Sequence, residues 1–113
     1  MVIVNFWASW CGPCLPQLDD LQEIWEQYGD QNLVVLGIAY IDYEPQAIAR
    51  LAEYRITFPV GPDNGTIADS FGFLGVPETF VIDQQGQIRG HFIGLDIKDE
   101  LRQIVDELLR NLG

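Results

Sequence analysis

The sequence predicts an α/β fold, a mixed four-stranded sheet flanked by helices, in a single domain spanning residues 1–113. Three observations carry that prediction. Short apolar runs alternate with stretches of helical period. The first two runs are separated by such a stretch, which makes them parallel strands with a right-handed crossover. The last two are separated only by a tight turn, which makes them an antiparallel hairpin. The predicted order is β-α-β-α-β-β-α.

The elements follow in sequence. Val2 to Trp7 is an apolar run ending at Ala8-Ser9 and reads as a buried strand, with Trp7 in the core. Leu15, Leu18, Leu21, Trp25 and Tyr28 recur at helical spacing, and Gly29 supplies a stop. Leu33 to Ala39 is a second buried strand. Ile48, Leu51, Ala52 and Arg55 mark a shorter helix after Pro45. Gly61-Pro62-Asp63-Asn64-Gly65 reads entirely as turn, with a short helix over Ile67 to Phe71 after it. Thr79 to Asp83 and Gln87 to Ile93 are the hairpin strands around Gln84-Gln85-Gly86, and His91 is expected to point to solvent. The last helix places Ile97, Leu101, Ile104, Val105, Leu108 and Leu112 on one face, with Asp96 as its expected N-cap.

Composition excludes several functions. Hydrophobic residues form 48% of the chain, enough for a packed core and too many for disorder. Seventeen acidic against six basic residues give a net charge of −11. Such a surface repels phosphate backbones, so no nucleic-acid partner is expected. No run approaches the roughly 20 apolar residues of a membrane span. The opening segment lacks the basic start and extended apolar run of a signal peptide. A soluble, monomeric domain is expected.

The chemistry lies in Trp10-Cys11-Gly12-Pro13-Cys14, between the first strand and the first helix. A helix N-terminus leaves backbone N–H groups unpaired and carries partial positive charge. A thiolate is stabilised there, and only the thiolate is a nucleophile. Cys11, expected to be exposed at the junction, is assigned as the attacking residue. Cys14, one turn on and more buried, is the resolving residue that breaks a mixed disulfide. Pro13 has no N–H to lose in a first turn. A bridge between the two cysteines closes too small a loop to be a structural staple. Structural zinc needs four ligands, and the chain offers only these cysteines and His91, so no metal site is expected.

The stretch Val4-Asn5-Phe6-Trp7-Ala8-Ser9-Trp10-Cys11-Gly12-Pro13-Cys14 resembles the active-site segment of the thioredoxin superfamily. Gly75-Val76-Pro77-Glu78-Thr79-Phe80-Val81-Ile82-Asp83 resembles the segment carrying that superfamily's cis-proline, with Pro77 at the matching position. Asn5 in place of a buried aspartate, and Glu78 after the proline, resemble the TlpA/ResA/DsbE-like branch. The resemblance runs from Val4 to about Leu112 and implies a minimal core of the thioredoxin fold.

The resemblance implies site roles. Val76, before the proline, offers backbone groups that pair with an extended substrate segment. Without it, Pro77 reads as an ordinary trans proline opening a strand. Trp10 is implied to be a partly exposed platform beside Cys11, with core packing as the alternative. Asn5 does not titrate, so an acid after the second strand is implied to move the Cys14 proton. Asp42 and Glu44 are the candidates, and both also read as solvated loop acids. Glu78 tunes the site, contacts a partner, or is a solvent-facing strand-end acid. Pro16 departs from the pattern. It lacks an N–H and crowds the carbonyl of Gly12, which predicts a distorted first helix.

The implied function is an extracytoplasmic reductase of protein disulfides. The redox-active Cys11–Cys14 pair is its electron carrier, with no other cofactor. Apocytochrome c is the specific substrate candidate and a membrane thiol donor the implied source of electrons. A general thioredoxin-like reductase is the nearest rival. A copper chaperone on the same fold is a different class, and the cysteine spacing opposes it. The peroxidatic motif of same-fold peroxidases is missing.

Overall fold

The computed structural model describes residues 1–111; Leu112, expected on the last helical face, lies outside them. Nine elements follow one another. They are β1 (Val2–Trp7), α1 (Cys14–Tyr28), β2 (Val34–Tyr40), α2 (Glu44–Glu53), β3 (Val60–Asp63), α3 (Thr66–Ser70), β4 (Glu78–Ile82), β5 (Ile88–Ile93) and α4 (Lys98–Arg110).

The sheet has five strands in the order β3-β2-β1-β4-β5, not four. β1 is central, parallel to β2 and antiparallel to β4. The additional strand is β3, which runs parallel to β2 from Val60 to Asp63. Its Gly61-Pro62-Asp63 has turn chemistry, yet Pro is tolerated on an edge strand because only one side must pair. α2 also starts earlier than expected, at Glu44, with Pro45 inside its first turn.

Alternation along β1 sends side chains to two cores. Ile3 and Trp7 join Leu18, Leu21 and Ile24 of α1 and Leu101, Val105 and Leu108 of α4. Val4 and Phe6 join Ile38, Ala68 and Phe80 beneath α3. Gly37 on β2 is required by close approach, since a Cβ there would lie 3.1 Å from Phe58 and 3.3 Å from the Trp7 indole.

Two expectations about helix ends are corrected. Asp96 makes no side-chain cap; it adopts φ 62° two residues before α4. Pro16 is the third residue of α1, and the helix continues unbroken to Tyr28. The first-turn N–H groups have no intrahelical partner in any case, so the missing N–H costs nothing there.

Candidate active site

β1 ends at Trp7, and the chain turns before α1 begins at Cys14. Cys11 N–H donates to Ala8 O and Cys14 N–H to Cys11 O, both at 3.1 Å. These turns bring the two Cα atoms to 5.4 Å, and the sulfurs are joined as a disulfide. Cys11 is not the exposed residue expected from its junction position: it is 6% exposed, against 1% for Cys14. The order of accessibility still favours Cys11 for attack from outside.

Three neighbours shape the approach. Trp10 is 58% exposed and its indole N–H donates to Ile41 O. Gly12 has open space on its Cβ side. A groove of about 500 Å³ beside the motif is lined by Ser9, Trp10, Gly12 and Leu15, with Gln46 and Arg50 of α2 opposite.

The loop before β4 closes the other side. The Val76–Pro77 peptide is cis. Val76 packs against both cores, including the one that holds Cys11 and Cys14. Pro77 O accepts from Gly94 N–H at 3.0 Å. Gly94 has φ 94°, a left-handed conformation open to glycine without steric cost.

A polar network without a charged side chain links β1, α1 and β4, with Asn5, Gln17 and Thr79 buried. Asn5 Nδ2 donates to Gln17 Oε1 at 2.7 Å and to Thr79 Oγ1 at 2.9 Å. Gln17 Nε2 donates to Gly94 O at 2.9 Å. Four segments are thus tied together: β1, α1, β4 and the turn after β5.

The acids separate. Asp42 Oδ2 accepts from Ser9 N–H and Oδ1 from the Ser9 hydroxyl, each at 2.6 Å. It therefore anchors the residue two before Cys11. Glu44 is exposed at the start of α2. Glu78 is neither a solvent-facing acid nor free to touch a partner, because it is fully buried. Its Oε1 accepts from Leu74 and Gly75 N–H and its Oε2 meets His91 Nε2. His91 does not simply face solvent either. Its ring stacks on Phe80 at 4.4 Å and 10°.

The sequence profile of the AhpC/TSA family matches residues 1–91. The chain belongs to the AhpC/TSA family. Within that assignment, it is 30% identical over 108 residues to the thioredoxin-like protein YneN of Bacillus subtilis, covering 93% of this chain and 63% of that protein. It is 37% identical over 95 residues to the thiol:disulfide interchange protein DsbE of Allochromatium vinosum, covering 81% of this chain and 50% of that one. A solved thioredoxin-family thiol:disulfide interchange protein from Chlorobium tepidum superposes with TM-score 0.86 at 28% identity, over 96% of this chain and 79% of that chain. The fold is the thioredoxin fold. The chain spans between half and two thirds of the two curated relatives.

Sequence reasoning about this AhpC/TSA member overlooked Gln17, Gly94 and the Glu78–His91 pair. Gln17 carried a signal, since it lies three residues after Cys14 and one before Leu18, on the buried face of α1. Glu78 and His91 carried a weaker one. In the β4–β5 register Glu78 faces Ile93 and Phe80 faces His91, so all four share one side of the sheet.

Proposed function

We propose that the chain is a thiol–disulfide oxidoreductase that reduces protein disulfides. One observation carries this reading: the Cys11–Cys14 disulfide sits in the turn entering α1, and Val76 beside Pro77 packs on the same cluster. In the reduced protein, the Cys11 thiolate attacks a substrate disulfide. A mixed disulfide forms and one substrate thiolate leaves. Cys14, deprotonated, attacks Cys11 Sγ, and the second substrate thiolate leaves. Two electrons pass to the substrate, whose thiolates take up two protons. The dithiol is the electron carrier, and the cycle needs no other cofactor.

The loop's role is to present backbone. An extended substrate segment beside Val76 pairs with its main-chain groups, while Trp10 offers an apolar platform. Asp42, held on Ser9, is the acid we assign to the Cys14 proton. The setting we propose is outside the cytoplasm, with apocytochrome c as substrate and a membrane thiol donor restoring the dithiol. Similarity to a thiol:disulfide interchange protein supports the chemistry.

Two measurements test the reading. Cys14→Ser traps a mixed disulfide on Cys11 with its substrate, and Cys11→Ser traps none. A redox titration should place the pair near about −270 mV, as in thioredoxin, whereas about −120 mV, as in a strong periplasmic oxidant, would overturn the reductase direction.

A further inference from the structure

Glu78 is a carboxylate in apolar surroundings. It is fully buried, lies opposite Phe6 in the sheet, and shares that face with Phe80. A carboxylate this buried persists only where its oxygens are paired. Here Oε1 receives Leu74 N–H at 2.8 Å and Gly75 N–H at 3.2 Å, and Oε2 contacts His91 Nε2 at 2.5 Å. His91 bridges this interior to solvent: its side chain is 40% exposed, while its ring lies flat on Phe80.

The two amides belong to a segment with no helix or strand of its own, between α3 and β4. Leu74 is 75% exposed, so its side chain does little to fix it. The backbone is held instead at a few points. Phe73 N–H donates to Ala68 O, Leu74 and Gly75 to Glu78, and Pro77 O accepts from Gly94. Val76 lies between the last two of these attachments. It is the residue whose main chain would meet a substrate.

We propose that Glu78, oriented by His91, is a positioning residue that fixes the Leu74–Pro77 backbone for pairing with an extended protein substrate. This rests on the oxidoreductase reading above. Glu78 acts through the loop, on the sheet face opposite the disulfide, and touches neither sulfur nor substrate. It governs how well a protein binds rather than how fast bound sulfurs exchange.

The test compares Glu78→Leu with Glu78→Gln, which keeps an oxygen for the two amides. Amide hydrogen exchange at Leu74 and Gly75 is read by NMR, and KM and kcat are read with insulin as the disulfide substrate. In Glu78→Leu, protection of both amides is lost and KM rises about tenfold with kcat little changed. Glu78→Gln restores protection and brings KM back near the wild-type value. Retained protection in Glu78→Leu, an unchanged KM, or equal damage in both variants overturns the proposal. If wild-type protein does not reduce insulin, insulin is not its substrate, the oxidoreductase reading is decided by the Cys14→Ser trap, and amide exchange alone decides the positioning role. If Glu78→Leu does not fold, His91→Phe carries the test. It keeps the ring on Phe80 and leaves Oε2 without its partner. Weakened protection of the two amides supports the proposal, and unchanged protection overturns it.

Discussion

A carboxylate near a thiol disfavours the thiolate, and the effect falls with distance and solvent. Asp42 and Glu44 differ in that respect. Asp42 is tied through Ser9 to the turn that holds Cys11, whereas Glu44 is exposed on α2. Neutralising Asp42 in Asp42→Asn should therefore move the pH profile of Cys11 alkylation downward. Glu44→Gln should leave it in place. If neither profile moves, the assignment of Asp42 is wrong. The sequence exposes Asp42 only as one of two acids after the second strand. What separates them is the contact with Ser9, 33 positions away, and no local pattern encodes it. Cys11 and Cys14 are legible because their spacing and place before a helix are local. Glu78 is not, because an acid at a strand end normally marks solvent, and only the facing strand supplies His91.

At the scale of elements, α3 shows how a short helix survives. Five residues are too few to form a helix unaided. Asp63, at the end of β3, accepts from Ile67 N–H at 3.0 Å and Ala68 N–H at 2.9 Å. Burial pushes its carboxyl up, but the backbone N–H groups of Ile67 and Ala68 outweigh that and hold it below its ordinary 3.8. The native state therefore binds fewer protons than the unfolded chain as the pH falls through that region. The stabilisation is complete above 3.8 and is lost as the pH falls through the lowered value. Asp63→Asn keeps only one of the two acceptor oxygens, so it should cost about 1 kcal/mol at neutral pH, and urea titrations should show the gap to wild type closing in acid. The same residues explain why β3 escapes a sequence reading. Gly61, Pro62 and Asp63 are turn formers, and their strand conformation comes from pairing with Ile38, Ala39 and Tyr40 on β2. The buried network makes a second case. Gln17→Leu leaves one Asn5 N–H unpaired in a buried site and takes the donor from the half-buried Gly94 carbonyl. It should destabilise the protein by about 1–3 kcal/mol in urea, and a smaller loss would mean that water replaces the side chain.

Over the whole molecule, the active-site pair and the fold are thermodynamically linked. The disulfide sits in one core with α1 and α4. Closing it therefore changes the stability of the folded chain, and folding changes the ease of closing it. Around the cycle these two effects must be equal. The proposed reductase must give up electrons readily, which requires a fold that favours the disulfide over the dithiol. Each step of about 30 mV below the potential of the unfolded pair then appears as about 1.4 kcal/mol of extra stability in the oxidised form. Surface ion pairs cannot produce such a difference. Lys98 and Arg102 of α4 reach the exposed Glu23 of α1, and pairs of that kind contribute little. The oxidised chain should therefore unfold at higher urea concentration than the reduced chain, with both measured at the same pH and with air excluded from the reduced sample. A reduced form that is the more stable of the two would mean that the fold favours the dithiol. The pair would then draw electrons from its partner, and the chain would act as an oxidant through the same two cysteines.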